Sequence, residues 1–206
     1  LYKMANEGFV FNNYYSTICD NTSNSEYTLL NSLLPDTSLL GKGWDTFYTY
    51  NSCTASQNNY MPHTLNNLFK GGGLRSLGFH YYYGNYYGRN KTHPNFGMEF
   101  YYMLHGLKKS GDWPTSDLEM MEQSVPYFLK KNDDGTVDRF CTYFLTFSGH
   151  MQYRFDTNNV ARKNKAVSDN LDVSNPVKAY VSCNEELEYA MEYLVDQLED
   201  SGVLDN

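Results

Sequence analysis

The chain has 206 residues and a formal net charge of −8, from 16 Lys and Arg residues against 24 Asp and Glu residues. This length predicts a single domain over residues 1–206, large enough to bury a core. The hydrophobic content of 41% and the charged content of 19% argue against a disordered chain. Because the charge is acidic and forms no basic stripe, a nucleic-acid partner is not expected. No stretch of about 18 apolar residues is present, so none reads as a membrane span.

Twenty Tyr and twelve Phe residues make the chain rich in aromatic side chains. Tyr-rich surfaces suit sugars and polyols, but a Tyr-rich core is an equally good interpretation. The cysteines form no Cys-x-x-Cys pair, which argues against zinc; free thiols are expected, with one disulfide left open. They are Cys19, Cys53, Cys141 and Cys183.

The predicted elements begin with residues 1–8, which read as the tail of a helix ending at a glycine. Phe9–Tyr15 alternates in hydrophobicity, which predicts a strand. The next segment is a capping box in which Ser23 caps a helix and Glu26 reaches back to it. That helix is predicted to end at about Leu34, before a proline.

Further along, residues 35–60 read as a loop and Pro62–Lys70 as a helix closed by glycines. Leu74–His80 reads as a strand, followed by an aromatic, irregular segment over residues 81–113. Ser116 is the predicted cap of a helix that runs to about Lys130.

A continuous apolar run over Phe140–Phe147 predicts a strand buried on both faces. Residues 148–174 read as loop and Pro176–Ser201 as the last helix, whose carboxylates over 185–200 are interpreted as a solvated face. Its apolar face is formed by Leu187, Met191, Leu194 and Leu198. The final residues, 201–206, lead towards a new strand, so both ends are expected to be cut inside a larger fold.

Strands that alternate with helices predict an α/β fold with a largely parallel sheet. In such sheets, ligands bind beyond the carboxyl ends of the strands. Three predicted loops follow strands, at residues 16–23, 80–90 and 148–153, and we expect them to open onto one face.

Thr22 lies in the first of these loops, just before the predicted helix cap. A helix N-terminus carries unpaired N–H groups and a partial positive charge, so a phosphate on Thr22 would be well placed. A hydroxyl needs activation by a base or a metal to act as a nucleophile. From spacing alone, the simpler interpretation is that Thr22 helps to cap the helix.

The second loop carries His80 and Arg89 nine residues apart, with Tyr87 between them. Arg binds phosphate through a planar fork and His donates to phosphate oxygens. In the third loop, His150 follows the apolar strand after a glycine that permits a sharp turn. Structural roles for these side chains are the alternative.

Other groups point to chemistry less strongly. Asp133-Asp134-Gly135 reads as a turn rather than a calcium loop. No phosphate-binding loop, dinucleotide fingerprint or Gly-x-Ser-x-Gly elbow occurs. The remaining histidines show no evident partner; they are His63, His93 and His105.

Taken together, the sequence resembles the lipoteichoic acid synthase family of the alkaline phosphatase and sulfatase superfamily. The resemblance covers nearly the whole chain in order and spacing. It rests on Gly8–Tyr15, on the Thr-Ser-x-x-Glu block of Thr22–Leu33, on Gly78–Arg89 and on Leu145–His150.

The resemblance implies an alkaline phosphatase-like, three-layer α/β/α fold, truncated at both ends. It also implies roles: Thr22 as the nucleophile and a metal ligand, and His80, Tyr87, Arg89 and His150 as substrate-binding residues.

The implied reaction is a transfer of glycerol phosphate from phosphatidylglycerol to a glycerol phosphate polymer, through a glycerophospho-threonine. The implied cofactor is Mn²⁺ or Mg²⁺, which would lower the pKa of the Thr22 hydroxyl. The implied location is the extracellular face of a Gram-positive bacterial membrane, reached through a membrane-anchored parent protein.

The chain departs from the family pattern in three places. Tyr87 stands where the family commonly has Trp, and Asp20-Asn21 stands where it often has Gly-Lys. The family's other metal ligands, a Glu and an Asp-His pair, are expected outside residues 1–206, so the metal site should be incomplete. Residues 1–206 on their own are therefore expected to be inactive and to bind Mn²⁺ weakly or not at all. Two alternatives to the transferase are a sulfatase- or phosphatase-type hydrolase and a non-catalytic glycopolymer-binding module.

Overall fold

A computed structural model describes residues 2–8, 10–15, 22–34 and 56–204. They fall into two compact units: an N-terminal unit of Leu1–Ser76 and Asn85–Glu99, and a C-terminal unit of Leu77–Gly84 and Phe100–Asn206. Cys19 and Cys53 lie outside the described residues, and Cys141 and Cys183 are free thiols.

The N-terminal unit contains helices α1 (Tyr2–Glu7), α2 (Thr22–Asn31), α3 (Leu65–Gly71) and α4 (Arg89–Asn95). The helix predicted over residues 1–8 is therefore confirmed. The strand predicted over Phe9–Tyr15 is wrong for the described residues 10–15, which are exposed and include a turn. Alternation alone did not make a strand because a strand also needs a partner for its backbone hydrogen bonds.

Helix α2 begins at Thr22, so Ser23 lies inside the helix and its predicted capping role is wrong. The helix ends at Asn31 rather than near Leu34 because Ser32 turns into the left-handed region, with φ of 57°. Helix α3 begins later than predicted because Thr64 is its cap, with Oγ1 accepting from the Asn67 N–H at 3.2 Å.

The C-terminal unit is built on a four-stranded, mostly parallel sheet in the order β3-β2-β1-β4. The strands are β1 (Arg75–His80), β2 (Glu99–Met103), β3 (Gly106–Leu107) and β4 (Phe140–Leu145), of which β1 and β2 begin in the N-terminal unit. The two strands predicted near β1 and β4 are confirmed. The segment predicted to be irregular, 81–113, instead contains α4, β2 and β3.

Strand β4 is half-buried along its whole length, so the prediction of burial on both faces is wrong. The reason is its position at the end of the described sheet order, where only one strand flanks it. The central strand β1 is instead the buried one.

The helices of this unit are α5 (Asp117–Phe128), α6 (Asn159–Lys163) and α7 (Asn175–Asp200). Ser116 caps α5 as predicted, with Oγ accepting from the Glu119 N–H at 3.1 Å. The core joins sheet and helices through Leu77, Phe79, Met103, Met120, Phe128 and Ala190.

Helix α7 forms where predicted, and Leu194 and Leu198 pack against this core. Its fully buried positions are Ala179, Ser182, Cys183, Glu186 and Ala190. The prediction that all carboxylates over 185–200 face solvent is therefore wrong for Glu186. None of the helices in the described ranges combines the length and apolar character that a membrane crossing requires.

Candidate active site

Thr22 is the exposed first residue of α2, and the residues after it are largely buried. The buried side chains of this helix are mostly polar; they are Ser23, Asn24, Glu26, Leu30 and Asn31. A helix with one buried apolar residue gains little from hydrophobic burial, so its polar contacts decide how it is held.

The strongest of these contacts is an ion pair between Glu26 and Arg89. Arg89 Nε donates to Glu26 Oε1 at 3.1 Å and to Oε2 at 3.0 Å. Arg89 Nη2 lies 2.8 Å from Oε2. The side chains are only 2% and 7% exposed, so water screens the pair very little.

His93 is the second partner of Glu26, with Nε2 3.5 Å from Oε1. Burial alone would raise the pKa of Glu26, but the attraction of Arg89, supported by His93, outweighs it and lowers the pKa to about 2. Burial lowers the pKa of His93, against the opposing effect of Glu26. The carboxylate of Glu26 is therefore ionised at neutral pH, with Arg89 as its counter-ion.

The backbone before Arg89 is held in an unusual conformation. Tyr87 has φ of 55° and Gly88 has φ of 65°, both in the left-handed region. For Tyr87 this costs on the order of 1–2 kcal/mol. At Gly88 a Cβ would also overlap the side-chain amide of Gln57. The Arg89 guanidinium lies 5.0 Å from the centroid of the Tyr87 ring.

Beside Arg89 is a small cavity of about 10 Å³, which is room for one water molecule. Its lining includes Ser23, Glu26, Tyr27, Tyr87 and Arg89. A phosphate group is larger than this, so binding of a phosphate by Arg89 requires the lining to move.

In the C-terminal unit, His80 and His150 share an aromatic neighbour. The Phe147 ring centroid lies 5.6 Å from that of His80 and 5.3 Å from that of His150. His80 is buried, and its Nδ1 lies 3.3 Å from the Leu145 carbonyl oxygen, which identifies Nδ1 as a donor. His150 is exposed, and its ring meets the Trp113 ring edge-on, with 5.1 Å between the ring centroids.

The turn that carries His150 is held by Asp117, at the start of α5. One oxygen of its carboxylate accepts from the Phe147 N–H at 2.7 Å. The other accepts from the Ser148 N–H at 3.0 Å and from the Ser148 hydroxyl. Burial raises the pKa of Asp117 in spite of these hydrogen bonds.

A second buried carboxylate, Glu186, ties α7 to the neighbouring segments. It accepts from Lys163 Nζ at 2.8 Å, from Asn164 Nδ2 at 2.7 Å and from the Ser116 hydroxyl. Burial opposes the ionised form, but these donors prevail and lower the pKa of Glu186. Glu186 thereby holds the cap of the helix that carries Asp117.

The structure thus places the predicted site residues in two sets. Thr22, Tyr87 and Arg89 belong to the N-terminal unit, and His80 and His150 to the C-terminal unit. The structure adds three carboxylates whose buried roles the sequence patterns do not predict: Glu26, Asp117 and Glu186. Glu26 belongs to the Thr-Ser-x-x-Glu block, which is a sequence signal for it, but that pattern predicts helix capping and not an ion pair.

The described residues do not fit a metal ion. In the ranges that the structure covers, no three His, Cys, Asp or Glu side chains lie together as a ligand set. Glu26, the carboxylate one helical turn from Thr22, is committed to Arg89 and His93.

A model of the sulfatase family matches residues 1–206. The chain belongs to the sulfatase family. Members of this superfamily are enzymes, and sulfatase-family enzymes typically bind a divalent metal ion. A comparison with curated protein sequences finds no significant match.

Among solved structures, the chain is similar to the crystal structure of the lipoteichoic acid synthase LtaP from Listeria monocytogenes, with a TM-score of 0.66. The two share 15% identity over 91% of this chain and 42% of that chain. The chain therefore spans less than half the length of LtaP. This likeness confirms the predicted alkaline phosphatase-like α/β fold.

Proposed function

We propose that this chain supplies the nucleophile and substrate-binding residues of a phosphotransferase that moves glycerol phosphate from phosphatidylglycerol to a growing lipoteichoic acid-type polymer. The observation that carries the proposal is the position of Thr22. It is the exposed first residue of a helix in a sulfatase-family chain, one turn before a buried Glu–Arg pair. The fold shared with a lipoteichoic acid synthase supports the proposal.

In the proposed first step, Thr22 Oγ attacks the phosphorus of phosphatidylglycerol. The Oγ–P bond forms, the P–O bond to diacylglycerol breaks, and the Thr22 proton is lost as diacylglycerol gains one. In the second step a hydroxyl of the polymer or of a glycolipid attacks the same phosphorus. The Oγ–P bond breaks, the acceptor loses a proton and Thr22 regains one.

The start of α2 suits this chemistry because a helix N-terminus stabilises negative charge that develops on a phosphoryl group. His80, Tyr87, Arg89 and His150 are the proposed substrate-binding residues. The charge of Arg89 and the aromatic ring of Tyr87 are suited to a phosphate and to a glycerol carbon chain. For Arg89, the proposal requires the 10 Å³ cavity beside it to open.

Mn²⁺ or Mg²⁺ is the proposed cofactor, with Thr22 as one ligand. Because the described residues do not provide a ligand set, no step of the transfer is assigned to the ion. The proposed partners are phosphatidylglycerol, the glycerol phosphate polymer and a membrane surface. The proposed location is the extracellular face of a Gram-positive cell membrane.

The proposal is tested on the full-length protein, with phosphatidylglycerol vesicles in which the headgroup glycerol carries a radiolabel, in buffer containing Mn²⁺. We expect diacylglycerol to be released and the label to appear on an acceptor hydroxyl. Thr22→Ala should reduce release on the order of 10³-fold or more. Ser25→Ala is the matched control, because it removes another exposed hydroxyl of α2.

The other outcomes separate the alternatives. Release of free glycerol phosphate with no transfer to an acceptor would instead indicate a hydrolase. Vesicle binding with no release, retained in Thr22→Ala but lost in Arg89→Ala, would indicate a non-catalytic binding module. Equal turnover in Thr22→Ala and Ser25→Ala would rule out Thr22 as the nucleophile.

A further inference from the structure

We infer that Glu26 is a positioning residue for Thr22: its ion pair with Arg89 fixes helix α2, and with it the proposed nucleophile, on the segment Tyr86–Asn95. The inference rests on the proposed function of Thr22. It adds a role for a carboxylate that neither binds substrate nor carries out the transfer.

The first argument is how little apolar packing the structure describes for α2. Leu30 is the only apolar side chain among the buried residues of this helix. Leu29 in its last turn and Leu33 and Leu34 just beyond its end are 62%, 44% and 73% exposed. Apolar packing therefore contributes little to the placement of the helix among the described residues, which gives weight to its buried polar contacts and above all to the buried charge pair.

The second argument is the geometry of the pair. Arg89 bonds through Nε and Nη2, so the planar guanidinium meets the carboxylate along an edge. Such an arrangement fixes direction as well as distance, which a single point contact does not. The pair therefore restricts both rotation of α2 about its axis and sliding along it.

The third argument is that the Arg89 side of the pair is itself fixed. The left-handed backbone at Tyr87 and Gly88 sets the start of α4, and Gln57 packs against Gly88. The Tyr86 and Tyr87 rings lie 5.8 and 5.0 Å from the Arg89 guanidinium. An anchor can position a helix only if its other end is itself held, and these contacts hold Arg89 in the structure.

The last step connects the anchor to the chemistry. Thr22 and Glu26 are four residues apart on α2, which places them on one face and about 6 Å apart along the axis. A rotation or shift of Glu26 is therefore passed directly to Thr22. A misplacement of about 1 Å is enough to slow a positioned reaction on the order of 10²-fold.

The test compares four versions of the 206-residue chain: unchanged, Glu26→Gln, Glu26→Asp and Glu99→Gln. Gln keeps the shape of Glu26 without its charge, and Asp keeps the charge on a shorter side chain. Glu99 is the matched control, because it pairs with Arg75 in the same unit at 3.3 Å but is 51% exposed. Hydrogen exchange is followed for the amides of α2 and, as an internal reference, of α3.

We expect Glu26→Gln to accelerate exchange in α2 roughly tenfold or more relative to α3. Glu26→Asp should restore part of the protection, and Glu99→Gln should leave the ratio unchanged. An unchanged ratio in Glu26→Gln would overturn the inference. So would equal loss of protection in α2 and α3, because the pair would then stabilise the unit as a whole without positioning α2.

A kinetic arm uses the phosphatidylglycerol vesicles described above. In Glu26→Gln, kcat should fall on the order of 10²-fold. A rise in KM at unchanged kcat would contradict a positioning role. If the unchanged full-length protein shows no turnover, the proposed function fails in this assay, and the exchange ratio still decides whether Glu26 positions α2.

Discussion

Glu26 in the N-terminal unit and Asp117 in the C-terminal unit are both buried carboxylates, but their partners differ. Glu26 faces the cation of Arg89, whereas Asp117 accepts from backbone N–H groups and a hydroxyl, all of them neutral. The pKa of Glu26 is lowered to about 2 and that of Asp117 is raised. A full counter-charge thus overcomes the cost of burial at Glu26, while three neutral donors do not outweigh burial and the negative charge of Glu186 at Asp117.

The difference also separates two ways of holding a loop or helix near a site. The Glu26 pair joins two helical segments through charge, and each partner left alone would be a buried ion. Asp117 instead organises the turn before His150 through directed hydrogen bonds. The Glu26–Arg89 ion pair is a strong contact that is lost when either partner is removed. The strength of the Asp117 contacts depends on how many acceptor atoms its side chain offers.

The largest expected effect follows removal of the Arg89 cation. Arg89→Met should lower the free energy of unfolding of the N-terminal unit by about 3–5 kcal/mol, because it leaves the Glu26 charge buried without its main counter-ion. Urea unfolding, monitored by hydrogen exchange at the amides of α2, measures this loss of stability. Arg75→Met is the control, since the Arg75 pair with Glu99 is partly exposed and should contribute less than about 1 kcal/mol. Equal losses in the two variants would remove the distinction between the pairs.

The next effect is the pH dependence of stability, which has opposite signs for Glu26 in the N-terminal unit and Asp117 in the C-terminal unit. Because the pKa of Glu26 falls from 4.5 to about 2 on folding, its stabilisation is present above pH 4.5 and is lost as the pH falls to about 2. The loss is on the order of 3 kcal/mol. Asp117 has a raised pKa, so its contribution is greatest at low pH and is lost as the pH rises through that pKa.

Carboxyl carbon NMR measures both titrations directly. We expect the Glu26 midpoint near 2 and the Asp117 midpoint above its ordinary value of 3.8. A Glu26 midpoint at or above 4.5 would mean that Arg89 does not compensate the burial of the carboxylate.

Asp117→Asn should have a smaller effect, lowering the free energy of unfolding of the C-terminal unit by about 1–3 kcal/mol. An amide has one acceptor oxygen where the carboxylate has two, and its NH₂ group would face a backbone N–H. Thermal or urea unfolding measures the loss, and line broadening of the His150 ring signals reports the turn. A loss greater than that of Arg89→Met would reverse the proposed ranking of the two carboxylates.

The smallest effect is expected at the cap of α5. Ser116→Ala removes the acceptor for the Glu119 N–H and one donor to Glu186, at a cost of about 1–2 kcal/mol. Ser116→Asp would keep a capping acceptor but place a second carboxylate against Glu186. If urea unfolding shows Ser116→Asp to be as stable as the unchanged chain, the hydroxyl donation to Glu186 contributes nothing.

Local sequence patterns predicted the parts of the fold that depend on neighbouring residues. The Ser116 cap, strands β1 and β4 and the long helix α7 each follow from a short stretch of chain. The strand predicted over Phe9–Tyr15 failed for residues 10–15 because alternation says nothing about whether a partner strand is present. The end of α2 was missed because a single residue, Ser32, takes the left-handed conformation.

The polar contacts of the site were out of reach of local patterns for a different reason. Glu26 and Arg89 are 63 residues apart, Asp117 and Ser148 are 31 apart, and Ser116 and Glu186 are 70 apart. Hydropathy also indicates the wrong environment for them, because it treats every Glu and Asp as exposed. The roles proposed for Thr22, His80, Tyr87, Arg89 and His150 came from resemblance to a family and stay predictions.

The central claim is that Thr22 carries the transferred group. The most direct measurement is mass spectrometry of peptides from the full-length protein after brief incubation with phosphatidylglycerol vesicles and Mn²⁺ without an acceptor, followed by an acid quench. We predict one added glycerol phosphate group on the peptide containing Thr22, localised to that residue by fragmentation and absent from Thr22→Ala. The same modification on another residue, or its persistence in Thr22→Ala, would contradict the claim.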